Sequence, residues 1–275
     1  MERKIKDKLS NLYAYIFATP FWSRLNILFF RLGLKGLGIG NYRGFGVSGE
    51  KYVLKKILPT LINSEQPVIF DIGAGRGSYS LELIRQFPKA RIFSFEPHPR
   101  NFEALAKATM GRLKIYNMAL GDSAGKAILY DRASTDGSNK ASLYKEVISE
   151  IHKQQIVSVE ANIDTLENFV KKEGIDYIDY MKVDTEGNDL AVLRGAECLF
   201  EAKKIGCLQF EFNEMNVMSR TFFRDFRIFL KGYTFFRLLP KGLLRLSEIL
   251  LMTEIFSYQN ILAIPNEKIS LLARL

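Results

Sequence analysis

The sequence predicts an α/β fold, Rossmann-like and doubly wound around a largely parallel sheet, with a helical extension ahead of it. Three observations carry this reading. Residues 67–80, PVIFDIGAGRGSYS, pass from a short β-branched and aromatic run (Val68, Ile69, Phe70) through a glycine turn into a helical pattern. Residues 90–96 form a second apolar run that stops at an acid, Glu96. Similar runs recur downstream and alternate with helical stretches, as in a βαβ series.

The elements follow in order. Residues 1–35 read as helical: Lys4, Lys6 and Lys8 lead into an aromatic-rich stretch interrupted by Pro20, Arg24 and Arg31. No small-residue cleavage site follows a long apolar core, and no uninterrupted apolar run is long enough to span a bilayer. Such a segment either lies on a membrane or packs on the core as a lid, and packing is the expected arrangement. Residues 36–49 are glycine-rich and read as a loop, which divides the chain into an extension, 1–47, and a main domain, 48–275. A helix is expected over residues 52–61. From Ser78 a helical face follows in Leu81, Leu83, Ile84 and Phe87.

Beyond Glu96, prolines at 97 and 99 open the next helix, with Phe102, Leu105 and Ala106. Residues 113–117 read as the third strand. Residues 127–130 and 155–161 read as two more, and the polar stretch 133–140 between them reads as a mobile loop over the site or as a plain surface loop. Asp164-Thr165 cap a helix through Val170. Residues 177–183 form a strand that ends in Asp184-Thr185-Glu186, and the helix after it stops at Gly195. Strand 205–212 and helix 222–230 lead to strands 233–239 and 257–264, expected as a closing antiparallel pair. The basic, apolar residues 238–254 receive no element.

The chemistry sits at the strand tips. A carboxylate such as Glu96 at the tip of the second strand accepts hydrogen bonds from both hydroxyls of an adenosine ribose, in NAD enzymes and S-adenosyl-L-methionine enzymes alike. The turn separates the two. A dinucleotide site wants Gly-x-Gly-x-x-Gly, and here Ser78 replaces the third glycine. Asp71, just before the first glycine, would repel a pyrophosphate but suits a sulfonium or an amino group, and S-adenosyl-L-methionine carries both. The plain alternative is a connecting turn capped by Asp71. Residues 118–122 fall where the strand tips face an adenine pocket. Asp184 and Glu186 stand where carboxylates orient a substrate hydroxyl or take its proton, or else cap the following helix. His98, beside the ribose acid, is a further candidate base.

The totals set bounds. The chain of 275 residues holds two cysteines, Cys198 and Cys207, both in apolar sequence, and two histidines. This fits a reducing compartment and supplies no zinc pattern, so no metal is expected. Of the net charge of +9, residues 1–60 hold eleven Lys/Arg against three acids. A basic arm reads as a nucleic-acid contact, as a contact with an anionic membrane or lipid-linked substrate, or as a solvated helix.

Four segments resemble the FkbM family of S-adenosyl-L-methionine-dependent methyltransferases: FDIGAGRGSYS (70–80), FEPHPRNFEAL (95–105), NMALGD (117–122) and YMKVDTEGNDLAVLRGA (180–196). SGEKY (48–52), KGYTFFRLLPKGL (231–243) and EIFSYQNILAI (254–264) are similar, more loosely, to FkbM-type proteins of surface-glycan synthesis. The resemblance implies a class I methyltransferase fold, a seven-stranded sheet with the last strand antiparallel. It implies that Asp71, Gly73 and Gly75 hold the methionine end of the cofactor, with Ala74, Gly77, Tyr79 and Ser80 in the same binding stretch. Glu96 would hold the ribose, Pro97 would shape its edge, and Met118, Ala119 and Asp122 would lie near the adenine. Asp184 and Glu186 would face the methyl-transfer centre.

The implied reaction is O-methylation of a sugar hydroxyl in a cell-surface polysaccharide or glycolipid. A different acceptor (RNA, protein, small metabolite) and an NAD(P)-dependent oxidoreductase are the alternatives. The expected location is the cytoplasm, with a peripheral contact at the inner membrane face through the basic N-terminus; nucleic acid is not the expected partner. Two residues depart from the family pattern. Gly75 stands where Asn is common, which removes a side-chain contact, and Glu167 stands where Asp is common.

Overall fold

The computed structural model describes residues 2–135 and 137–274. Asp136, inside the polar stretch 133–140, lies outside the described residues. The strands are β1 (Val68–Ile72), β2 (Arg91–Phe95), β3 (Lys114–Tyr116), β4 (Ala119–Gly121), β5 (Gly125–Arg132), β6 (Ile156–Thr165), β7 (Ile178–Val183), β8 (Ile205–Phe212), β9 (Tyr233–Leu239), β10 (Gly242–Arg245) and β11 (Gln259–Pro265).

The main sheet has the order β10-β9-β11-β8-β7-β1-β2-β3. From β3 to β8 the pairs are parallel. β11 then enters antiparallel between β8 and β9. This is the expected class I order with its last strand reversed, and the closing pair forms as expected. An eighth strand, β10, pairs antiparallel with β9 at the edge. It comes from the unassigned residues 238–254, where four residues are too few to show a strand period. The two runs at 127–130 and 155–161 do form strands, but in a separate sheet of order β4-β6-β5.

Burial explains the apolar runs. β1, β8 and β11 are buried along their whole length, as expected of strands covered on both faces. Alternation along β1 sends Val68, Phe70 and Ile72 to one core, with Phe169, Leu193 and Phe226. Ile69 points to the other core, with Leu54, Leu58, Tyr79 and Leu83. Helix Leu166–Glu173 starts as predicted, with the Thr165 hydroxyl accepting the Asn168 N–H at 3.2 Å. Glu167 uses its extra methylene to reach the N–H of Cys198 at 2.7 Å. The Cys198 thiol is exposed, contrary to the expected apolar surroundings, and Cys207 is buried.

The N-terminal extension departs most from expectation. It forms helices Glu2–Phe17 and Ser23–Gly36, broken at Pro20 as the proline predicts. Instead of packing on the core, the pair stands out from it: none of residues 7–36 is buried. The Tyr13 hydroxyl donates to Asn26 Oδ1 at 2.6 Å and ties the helices together. The chain returns to the body at once. Ile39 is buried, and the Gly40 N–H donates to the Tyr258 carbonyl at 2.7 Å. The free-standing part therefore ends at Gly36. No helix among the described residues is long and apolar enough to cross a membrane.

Candidate active site

The parallel strands end on one edge of the sheet, where a doubly wound fold places its ligand crevice. A cavity of about 520 Å³ opens there. Its floor is the turn after β1. Gly73 has φ +82°, and a Cβ there would stand 1.9 Å from the Asp184 carbonyl oxygen, so only glycine fits. The N–H groups of Gly73 and Ala74 donate to the Phe95 carbonyl at 3.0 and 2.9 Å and hold the turn against β2. Gly77 lies behind the turn, where a Cβ would press on Leu105.

Glu96 forms one wall. Its carboxylate accepts the Gly75 N–H and the His98 N–H, each at 2.8 Å. Burial pushes its pKa up to about 7 against these hydrogen bonds. Pro97, Met118 and Ala119 continue this wall.

A second group of charges lines the cavity beside the turn. Lys182 of β7 donates to Asp184 Oδ2 at 2.7 Å and lies 4.9 Å from the Tyr79 ring centroid. Burial works against the Lys182 charge, but Asp184, Glu50, Asp71 and Glu211 outweigh it and hold the ammonium firmly protonated. Burial alone would raise Asp184, yet Lys182 and Lys140 keep it below the usual carboxylate range. Glu186 accepts from Lys140 at 2.7 Å, and burial still pushes it up to about 7. Its other oxygen, Oε2, is buried without a hydrogen-bond partner. Glu211 at the end of β8 is raised well above the ordinary range by burial and then by Asp184. Among the described residues no three His, Cys, Asp or Glu side chains converge as a metal-holding group.

The polar stretch after β5 contributes directly. Asp131 accepts the N–H groups of Gly137 and Ser138, each at 2.8 Å. Arg76 and Asn101 donate to the carbonyls of Gly137 and Ser138 at 2.7 and 2.9 Å. Stitched down this way, the loop places Ser138, Asn139, Ala141 and Leu143 in the cavity wall. The Asn139 amide oxygen stands 3.1 Å from where a Cβ on Gly75 would be. Asn139 therefore fills the space that the glycine leaves.

Gly73, Ala74, Gly75, Tyr79, Glu96, Pro97, Met118, Ala119, Asp184 and Glu186 all line the cavity. The other expected site residues do not. Asp71 is fully buried below the turn, where its Oδ2 accepts the Ser80 hydroxyl at 2.5 Å. Asp71 shares a strand face with Ile69 and with its β7 register partner Lys182, and its carboxylate is held beneath the turn by Ser80 of helix Ser78–Gln86. Ser80 and Gly77 support the turn from the same side. His98 turns under the 131–138 segment, with Nε2 3.7 Å from Asp131 Oδ2. Asp122 is exposed beside Ser123, because pairing of β4 with β6 carries the chain past the crevice.

Sequence reasoning missed Glu50, Lys140, Lys182, Glu211, Tyr42 and Tyr258, which the fold brings to the same space. Glu211 had a legible signal, the one charge in strand β8, and Lys182 a weaker one, a charge among the apolar residues at the end of β7.

The strand order, the glycine turn and the acid at the tip of β2 define the architecture of a class I methyltransferase. The chain belongs to the FkbM methyltransferase family, whose domain model matches residues 71–236. Methyltransferase sdnD of Sordaria araneosa is 28% identical over 159 residues, covering 48% of this chain and 61% of that protein. The 2-O-methyltransferase NoeI of Sinorhizobium fredii (strain NBRC 101917 / NGR234) is 27% identical over 148 residues, covering 50% of this chain and 60% of that protein. The chain thus spans less than two thirds of the length of these relatives. A crystal structure of a methyltransferase FkbM from Methylobacillus flagellatus KT superposes with a TM-score of 0.45 at 14% identity, covering 74% of this chain and 44% of that one.

Proposed function

We propose that this chain transfers a methyl group from S-adenosyl-L-methionine to a hydroxyl of a sugar-bearing acceptor. One observation carries the reading: a single cavity is lined by a glycine turn, a ribose-type acid and a carboxylate–lysine cluster. The cavity fits the cofactor chemically. Its volume falls in the range of small-molecule sites, roughly 300–1,000 Å³. The missing side chain at Gly73 lets the turn pack against the Asp184 carbonyl, which brings the acidic turn after β7 beside the glycine turn, and Glu96 supplies the acceptor for two ribose hydroxyls. Met118 and Ala119 offer an apolar edge to an adenine.

The bound cofactor supplies an electrophilic methyl group on a sulfonium. The protein's work is to hold the acceptor oxygen in line and relieve it of its proton. Glu186, poised at about 7, takes the proton. Asp184, kept ionised by Lys182, accepts a hydrogen bond from the same hydroxyl and orients it. Tyr42, Phe45 and Tyr258 give the acceptor end aromatic faces, and Glu50 gives it a hydrogen-bonding acid. That mixture suits a hydroxyl-rich ring. Oxygen as the receiving atom agrees with the name of the relative NoeI, a 2-O-methyltransferase.

Parallel calorimetric titrations with S-adenosyl-L-methionine, S-adenosylhomocysteine and NADH test the reading. Binding of both adenosyl-sulfur ligands and not of NADH is the expected result. Binding of NADH alone would assign the cavity to a dinucleotide.

A further inference from the structure

Half of the large apolar side chains exposed among the described residues lie on the two N-terminal helices and the turn between them. Tyr15 is 88% exposed, Phe21 82% and Phe30 64%. A patch of this size on a folded protein marks an interaction surface rather than chance exposure.

The charge pattern says what kind of surface it meets. On helix Ser23–Gly36, Arg24, Arg31 and Lys35 share one face at 100° per residue, and Leu25, Phe29 and Leu32 form the stripe beside it. All six are exposed. No Asp or Glu stands between Lys8 and Gly36. Cations flanking an aromatic and aliphatic stripe, with no acid among them, are the pattern of a helix lying in the plane of an anionic bilayer.

A second apolar element emerges at the root of this arm. Ile249, Leu250 and Leu251 are 61%, 58% and 81% exposed at the start of helix Leu250–Thr253. The buried Arg237 guanidinium joins the two places, donating to the Leu37 carbonyl at 3.3 Å and to the Met252 carbonyl at 2.9 Å. Just past Leu37, Tyr42 and Phe45 enter the cavity wall.

We propose that the arm and the Ile249–Leu251 tip together form a docking surface for an anionic lipid bilayer, set beside the cavity. The inference is independent of methyl transfer. Co-sedimentation of the full chain with vesicles tests it, using phosphatidylcholine alone and phosphatidylcholine containing phosphatidylglycerol. The chain is expected to bind the anionic vesicles strongly, to lose that binding as salt is raised, and to bind neutral vesicles weakly. The triple substitution Arg24→Glu, Arg31→Glu, Lys35→Glu should lower the partition coefficient about a hundredfold or more. Phe29→Ser with Phe30→Ser, and separately Leu250→Ser with Leu251→Ser, should each lower it about tenfold. These side chains are exposed, so the thermal midpoint should not move in any variant. Failure to bind anionic vesicles overturns the proposal, as does equal binding to both compositions. A dimer in analytical ultracentrifugation that these substitutions dissolve, without vesicle binding, would assign the face to a second copy of the chain.

Discussion

Lys140 donates to Glu186 Oε1 at 2.7 Å and so couples the loop after β5 to the acidic turn after β7. The ammonium holds down the pKa of a carboxylate that burial pushes up to about 7. In Lys140→Met that restraint is gone, so Glu186 stays protonated to higher pH. The acid limb of the pH–rate profile should move up by about one unit, with activity at pH 6 falling about tenfold and activity at pH 9 little changed. An unmoved limb would remove Glu186 as the base.

Burial pushes the Glu96 carboxyl up to about 7, and the ionised form accepts ribose hydroxyls best. Affinity for S-adenosyl-L-methionine should therefore weaken as pH falls from 8 to 6. Glu96→Ala should cost about tenfold or more in affinity and flatten that dependence. Titration calorimetry at several pH values measures both.

Asn139 occupies the space beside Gly75 that a larger residue at 75 would use. Asn139→Ala should weaken cofactor binding by about three- to tenfold, the value of one hydrogen bond. The thermal midpoint should stay unchanged. An unaltered dissociation constant would reduce Asn139 to packing.

Asp71 acts on the fold. Asp71→Ala takes the shorter of two partners from the buried Ser80 hydroxyl, leaving the Ser94 hydroxyl at 3.0 Å, and should cost about 1 kcal/mol in denaturant unfolding. Asp71→Asn, which still offers an acceptor, should recover most of that. Loss of cofactor binding at unchanged stability would instead place Asp71 in the site.

Stability should also depend on pH. Glu96, Glu186 and Asp189 all have pKa values raised to about 7 by burial. Between pH 4.5 and 7 the folded state therefore binds more protons than the unfolded state, and stability falls as pH rises through that window. Asp184, whose pKa is lowered, acts in the opposite sense but at lower pH. The ligand-free protein should melt several degrees higher at pH 5.5 than at pH 8, at roughly 2–4 °C per kcal/mol.

What the sequence made legible was local. The β1 turn, the acid closing β2 and the Thr165 cap each depend on a few adjacent residues, and each forms as read. What stayed hidden depends on which strands become neighbours. Glu50 and Gln209 meet across 159 residues, and Lys140 meets Glu186 across 46. Asp71 does not line the cavity although it stands at a strand tip, because its carboxylate is taken up by Ser80 beneath the turn, a contact that the position alone does not reveal. The arm was misread for a different reason. An amphipathic pattern is the same whether its apolar stripe meets a core or stands clear of one.

β11 lies in the interior of the sheet, although it follows the other ten strands of the described residues in the chain. Until residue 265 has left the ribosome, β8 is a bare edge and the β9–β10 hairpin has nothing to join. Tyr258, just ahead of β11, also closes the cavity. The sheet therefore cannot close before residue 265 is made, and between the synthesis of β8 and that of β11 the nascent chain carries an open strand edge. A chaperone that shields β8 during that interval would be expected to raise the yield of folded protein.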